Sequence, residues 1–316
     1  MNNLSVPPLI MASINFYVGA YYLFFYAKRK QIKEHLPFSL LCLSVGFYDV
    51  LCFGLYNATS LEDGIFWQRL QLNTVVMISV FLIWFTAVFT EQKRNLIIRF
   101  FNILLISILF LSFFAGPQFT LNQAKPLIKV IDLKFIPEVI YYEGTIGIIY
   151  QIEIITSVAA YLYLLYLFID YYRKTRFKII FLVIGCQLLY FAGVINDSLV
   201  AISFYSFIYL SEYSFFFIIM AMACILLDNF VRLHSAYEEL NINLERKVEE
   251  RTTEILAAQE QVKQLEGIIP ICMYCKKIRD DQESWHQLEK YISMHSEAEF
   301  SHSICPSCLE KVKMTI

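Results

Sequence analysis

The sequence predicts an all-α membrane protein with seven transmembrane helices, followed by a cytoplasmic coiled-coil helix and a small zinc-ribbon or treble-clef-like C-terminal module. The 316 residues are 58% hydrophobic and only 17% charged, which is too apolar for an ordinary soluble domain. Charged residues are sparse up to about Asn229 and dense after it, and two cysteine pairs lie near the end of the chain. The predicted domains are therefore 1–229, 230–266 and 267–316.

Seven apolar stretches in the first domain are long enough to cross a membrane. A helix needs about 20 predominantly apolar residues to span ~30 Å of hydrocarbon. The stretches lie at about 8–27, 37–57, 70–90, 97–116, 145–170, 179–200 and 207–228. None of the prolines is central to a stretch, and there is no matched pair of Pro or Gly interruptions of the kind found in broken-helix transporters.

Basic residues in the connections predict the orientation of these helices. One side has Lys28, Arg29, Lys30, Lys33, Lys93, Arg94, Arg99, Arg173, Lys174, Arg176 and Lys178. The other side has Arg69, Lys125, Lys129 and Lys134. Because short basic connections stay in the cytoplasm, we expect the N-terminus outside and the C-terminus in the cytoplasm. The first stretch is not expected to be a cleavable signal peptide, since its basic cluster follows the apolar run.

Polar residues near the outer ends of the spans are candidates for a ligand site, because an uncompensated polar group in a membrane is costly. They are Asn57, Arg69, Asn196, Asp197 and Glu212, with Asp49 and Glu153 lying deeper. Two interpretations stay open. Arg69 forms an ion pair with Asp197 or Glu212 that pins helix ends together, or the same groups form a ligand pocket. The outer aromatic residues fit a pocket wall and an interfacial belt equally well.

The longest outer connection, about 117–144, contains two candidate strands. "PLIKVIDLKF" and "EVIYYEG" flank "IP" and are rich in β-branched and aromatic residues, which favours a hairpin. A loop of this length is often a functional lid, although a simple cover over the helix ends is the alternative.

Three short motifs carry a family resemblance. "WQRLQ" (67–71), "GVINDSLVA" (193–201) and "YLSEYSF" (209–215) resemble the seven-helix N-terminal region of bacterial sensor histidine kinases, over about residues 8–230. The resemblance implies a sensory input domain in the bacterial inner (plasma) membrane. It also implies that Arg69, Asn196, Asp197 and Glu212 occupy recurrent polar positions, and it names no ligand.

The segment after the seventh stretch has heptad character. Position a is His234, Asn241, Val248, Ile255 and Val262, and position d is Tyr237, Leu244, Arg251, Ala258 and Leu265. A polar residue at position a favours a defined register and a two-stranded state. We therefore expect a homodimeric coiled coil that transmits a signal, with a passive spacer helix as the alternative. The run "LERKVEERTTEI" also resembles the signalling helix that often precedes kinase or cyclase domains.

Two Cys-x-x-Cys pairs end the chain. Cys272, Cys275, Cys305 and Cys308 offer the four thiolates of a tetrahedral Zn²⁺ site with Zn–S near ~2.3 Å. The reducing cytoplasm favours thiolates over a disulfide. The alternatives are a redox thiol pair, an iron–sulfur centre, or His302 in place of one cysteine ligand. The segment resembles the paired-cysteine end of many bacterial signalling proteins.

The insert between the pairs is too small to fold without help. "ESWHQLEKYISMHS" is predicted as a helix with Trp285, Leu288, Tyr291 and Ile292 on one face. Four apolar residues are a small core for the last domain, and a structural metal is the usual remedy. Structural Zn²⁺ is therefore the expected cofactor.

These features together predict a receptor-like signalling protein. It would sense an extracellular or membrane ligand, still unknown, and pass the signal through a dimeric coiled coil to a cytoplasmic signalling protein. No enzyme activity and no kinase domain of its own are expected, since no glycine-rich nucleotide loop follows the coil. The alternative is a small-molecule or ion transporter with an accessory zinc module. A net charge of −2 gives no indication of a nucleic-acid partner.

Overall fold

The computed structural model describes residues 3–92, 95–133, 136–201, 204–266, 269–296 and 298–313. Two compact units are present, Met1–Arg232 and Leu233–Ile316. Some residues used in the predictions lie outside the described residues, namely Lys93, Arg94 and Lys134. The side chains of Lys125, Val262 and Leu265 are likewise outside the described part.

Seven helices in the described part of the chain are long and apolar enough to cross a membrane, as the sequence predicts. They are α1 (Val6–Lys28), α2 (His35–Tyr56), α3 (Leu61–Phe89), α4 (Leu96–Phe114), α5 (Ile148–Thr175), α6 (Ile180–Ala201) and α7 (Ser211–Glu266). Helix α3 begins well before the predicted position 70. The Ser60 hydroxyl accepts a hydrogen bond from the Asp63 N–H at 3.1 Å and caps this helix, with Glu62 and Asp63 in its first turn.

The bundle of the first unit has a packed interior and apolar outer surfaces. Its interior includes Phe38, Leu82, Phe85, Tyr161 and Ile219, all of which are almost completely buried. Helix α4 instead exposes a row of large apolar residues, including Ile103, Phe110 and Phe113. Helices that are apolar on their buried and exposed sides are those expected in lipid.

The predicted hairpin between α4 and α5 is confirmed. Strand β1 (Leu121–Leu133) pairs antiparallel with β2 (Ile136–Ile146), with Lys129 opposite Tyr141. The hairpin packs against α3, where Gln68 receives a hydrogen bond from the Gly144 N–H at 2.8 Å. The mostly helical bundle therefore carries one β element on its longest connection.

The second unit contains short elements after α7. Strands β3 (Ile278–Arg279) and β4 (Trp285–His286) pair antiparallel, and helices α8 (Leu288–His295) and α9 (Pro306–Lys313) follow. The prediction that Trp285 lies on a helical face is wrong, because the chain reverses before it. The Asp280 carboxylate accepts hydrogen bonds from the Gln282 and Ser284 N–H groups at 3.0 and 2.8 Å, and this turn places Trp285 in a strand.

Candidate functional site

The first unit contains a cavity of about 460 Å³, within the range of ~300–1,000 Å³ that is usual for small-molecule sites. Helices α2, α3, α5, α6 and α7 line it together with the hairpin. Its aromatic wall is formed by Tyr48, Tyr56, Tyr190, Tyr209 and Phe215. Its polar lining includes Gln68, Gln71, Lys129, Glu143, Glu153, Asp197 and Glu212.

Asp197, at the end of α6, binds the beginning of α7. Its Oδ1 accepts a hydrogen bond from the Leu210 N–H at 2.7 Å, and its Oδ2 accepts one from the Ser211 N–H at 3.0 Å. The first N–H groups of a helix have no partner inside the helix and carry partial positive charge. The Asp197 carboxylate therefore both caps α7 and fixes it to α6.

Glu212, in the first turn of α7, faces α2. Its side chain is buried, and its Oε2 accepts a hydrogen bond from the Tyr56 hydroxyl at 2.8 Å. The Tyr56 ring stacks on Tyr141 of the hairpin, and Tyr141 stacks on Tyr209, with ring centroids 5.2 and 5.5 Å apart. Three tyrosines thus connect α2, the hairpin and the segment before α7.

A buried ion pair fastens the hairpin to the same segment. Lys129 Nζ lies 2.6 Å from Glu143 Oε2, and it also donates a hydrogen bond to the Tyr209 hydroxyl at 2.7 Å. The Tyr209 hydroxyl in turn donates to Glu143 at 2.9 Å. Burial and the adjacent Glu143 carboxylate raise the pKa of Tyr209, so this hydroxyl keeps the proton that it donates.

Asn196 and Asn57 have structural partners. The Asn196 amide donates to the Ile208 carbonyl at 3.0 Å, and its Oδ1 accepts from the Tyr205 hydroxyl at 2.5 Å. Asn57 follows the last residue of α2 and donates to the Phe53 carbonyl at 2.8 Å. Asn196 therefore positions the segment before α7, and Asn57 caps α2.

The predicted ion pair of Arg69 with Asp197 or Glu212 is absent. No described carboxylate lies within ion-pair distance of Arg69, and its buried Nε has no described hydrogen-bond partner. Asp197 is instead hydrogen-bonded to the start of α7, and Glu212 is hydrogen-bonded to Tyr56 at the end of α2. Of the five residues predicted as ligand-binding, Asp197 and Glu212 belong to the described lining of the cavity. Asn57, Arg69 and Asn196 do not belong to it.

Two charged lining residues were not predicted as site residues, and a third, Glu153, was named only as a deeper polar candidate. Lys129 and Glu143 come from the hairpin, and Glu153 comes from α5. Glu153 is 1% exposed, and neither of its carboxylate oxygens has a hydrogen-bond partner in the described part of the chain. Its depth in an apolar stretch was the only signal for it in the sequence.

The cysteine pairs of the second unit lie on two different elements. Cys272 and Cys275 lie in a tight turn. In this turn the Lys276 N–H donates a hydrogen bond to the Cys272 carbonyl at 3.0 Å, and Lys276 has φ 57°. Cys305 precedes α9 and Cys308 lies in its first turn. The Cys275 N–H lowers the pKa of the Cys272 thiol, and the Ser307 hydroxyl lowers that of Cys305 to about 7.

The two pairs are not gathered into one cluster. Among the described residues, no three His, Cys, Asp or Glu side chains come together in a way that could bind a metal ion. Each pair is close within itself, and the four thiols fit zinc in chemical type and number. The predicted zinc site stays a prediction.

Comparison with known proteins defines the class. Residues 7–230 match the family described as the N-terminal 7TM region of histidine kinase. The chain belongs to this family, and its first unit is a seven-helix membrane sensor region. The match confirms the resemblance of "WQRLQ", "GVINDSLVA" and "YLSEYSF", and it ends before the coil and the cysteine pairs. A search of curated proteins found no match.

Proposed function

We propose that this protein is a membrane receptor that binds a small ligand in the cavity beneath the hairpin. The observation that carries the proposal is the cavity in a sensor-family fold, with mostly apolar walls and a few convergent polar groups, the usual composition of a small-molecule site. With the N-terminus outside, as the basic connections predict, the hairpin and the cavity lie on the extracellular side.

The contacts of Asp197 and Glu212 suggest how binding is passed on. Both carboxylates line the cavity, and both make hydrogen bonds that position the first turn of α7. A ligand that contacts either carboxylate competes with those bonds. It shifts the position of α7 only if it binds one arrangement more tightly than the other. Helix α7 continues to Glu266 and carries the heptads.

The proposed partner of the heptad segment is a second copy of the chain. Leu244, Val248 and Ile255 occupy positions a and d, and each is at least half exposed. Apolar residues repeated at these positions are normally buried between two helices. A parallel two-stranded homodimer would cover them and would carry a rotation or displacement of α7 away from the membrane.

The C-terminal unit is proposed to bind one Zn²⁺ and to contact a cytoplasmic signalling protein. Cys272, Cys275, Cys305 and Cys308 would be the ligands, two on the turn and two at the start of α9. Zinc bound by four thiolates supplies folding free energy to small modules. Support for this comes from the number and chemical type of the ligands.

The receptor proposal is tested by filling the cavity. The full-length protein in lipid nanodiscs is screened against a library of small metabolites, with thermal unfolding as the measurement. Compounds that stabilise it are then measured against two variants on α5. Val158→Trp adds an indole to the cavity lining, whereas Ile155→Trp adds the same group at a highly exposed position.

Stabilisation that disappears in Val158→Trp and persists in Ile155→Trp supports the receptor. Bound ligand raises the free energy of unfolding by about 2.7 kcal/mol at 100 times its Kd, which is readily measured. Stabilisation that is equal in both variants would show that the compounds bind elsewhere and would contradict the proposal.

A further inference from the structure

We infer that the ligand of this cavity is a small organic cation with an ammonium group, and that Glu153 is the residue that binds this group. The inference rests on the proposed function, because it takes the cavity to be the ligand site. It follows from a comparison of the charged residues in the lining, which differ in whether they have a described partner.

The described lining is strongly acidic. It contains the carboxylates of Glu143, Glu153, Asp197 and Glu212 and a single basic residue, Lys129. Lys129 is already paired with Glu143 at 2.6 Å. Asp197 accepts hydrogen bonds from the N–H groups of Leu210 and Ser211, and Glu212 accepts one from a tyrosine hydroxyl. Only Glu153 in this set has no described partner.

Glu153 is therefore a member of the described cavity lining whose carboxyl group is buried without compensation. It is 1% exposed, and both oxygens lack a partner among the described residues. Arg69 does not compensate it, since no ion pair between the two is present in the described part of the chain. A buried carboxylate is strongly unfavourable unless a positive charge or hydrogen-bond donors accompany it. A cationic ligand would supply both.

The remaining lining favours an organic cation over a metal ion. The described residues contain no group of three acidic, histidine or cysteine side chains that could bind a metal, and about 460 Å³ is far more space than a bare ion occupies. Tyr48, Tyr190 and Phe215 contribute aromatic rings to the lining. Such rings attract ammonium groups and also contact an apolar body.

The test compares three probes of nearly the same shape and different charge: 2-phenylethylammonium, 2-phenylethanol and 3-phenylpropanoate. Binding to the full-length protein in nanodiscs is measured by titration calorimetry. We expect the ammonium probe to bind tightest. Removal of one partner from a buried charge pair typically weakens binding by roughly 30-fold or more, so Glu153→Gln should weaken the ammonium probe by that factor. The affinity of the neutral alcohol should barely change.

Asp170→Asn is the matched control. It makes the same change of charge on the same helix, at a position where the carboxylate pairs with Lys174 and does not belong to the described lining. It should leave the binding of all three probes unchanged. The charge preference of the unaltered protein tests the inference even if Glu153→Gln does not fold.

The outcomes separate the two proposals. If the alcohol or the carboxylate binds as tightly as the ammonium, and Val158→Trp abolishes that binding, the cavity is a ligand site but the inference of a cation is overturned. Ammonium binding that is unaffected by Glu153→Gln overturns the role of Glu153. If none of the probes distinguishes the unaltered protein from Val158→Trp, both the cation and the cavity site are overturned.

Discussion

Gly64 and the pair Lys129–Glu143 show how single residues position the hairpin over the cavity. A Cβ atom on Gly64 would overlap the carbonyl oxygen of Tyr142, so only glycine allows β2 to lie this close to α3. The Lys129–Glu143 pair is almost completely buried, where the loss of one partner leaves an uncompensated charge. The position of the hairpin thus depends on the lack of a side chain at Gly64 and on the Lys129–Glu143 ion pair.

Gly64→Ala is expected to displace the hairpin, because the overlapping atom belongs to the backbone and cannot rotate away. Overpacking of this kind typically costs ~1–3 kcal/mol. The thermal unfolding midpoint should fall, and the rate of limited proteolysis within 121–146 should rise. Gly116→Ala is the control, since a Cβ there meets no atom within 4 Å. Equal effects of both variants would contradict this role for Gly64.

At the scale of elements, the segment that follows α7 consists of short strands and helices. Strands β3 and β4 have two residues each, and helices α8 and α9 have eight each. No residue of either helix is buried. Ordering of residues costs about 1.5 kcal/mol each, and elements this short bury too little to offset it. Zinc binding, at an apparent ~10–16 kcal/mol near neutral pH, would supply part of the missing free energy.

The full-length protein should accordingly contain one Zn²⁺ per chain, measured by elemental mass spectrometry. Cys275→Ser and Cys308→Ser should each reduce the zinc content strongly and make 269–313 faster in hydrogen exchange. Cys224→Ser, at an exposed position of α7, is the control and should keep the metal. Zinc-free purified protein, or equal zinc in all three variants, would rule out the site and favour a redox pair.

For the whole molecule, the heptads after the membrane sensor region predict a dimer. From Leu233 to Glu260 nearly every described residue is exposed in the single chain, including Leu244, Val248 and Ile255. A single helix outside the membrane gains little from such residues, whereas a paired helix buries them. The protein is therefore expected to be a dimer whose helices meet along this seam.

Photo-crosslinking tests the seam in membranes. A benzophenone amino acid at Val248, a predicted position a, should give a strong dimer band on a denaturing gel. The same group at Glu250, which is two residues further on and points away from the seam, should give a weak one. Both positions are exposed in the single chain, so access to the group does not differ. A dimer band that is stronger from 250 than from 248 would exclude this register.

The sequence by itself determined the seven spans, the hairpin and the family of the first unit. Lipid requires a long apolar window for each span, and strands show in a run of β-branched and aromatic residues, so both signals are local. Only the tertiary structure decided which polar residues share a site. Successive residues turn by about 100° around a helix, so depth in a span does not reveal whether a side chain faces lipid, core or cavity. Arg69 directly precedes a predicted span and Glu153 lies within one, yet packing places only Glu153 on the described cavity lining, together with Asp197 and Glu212.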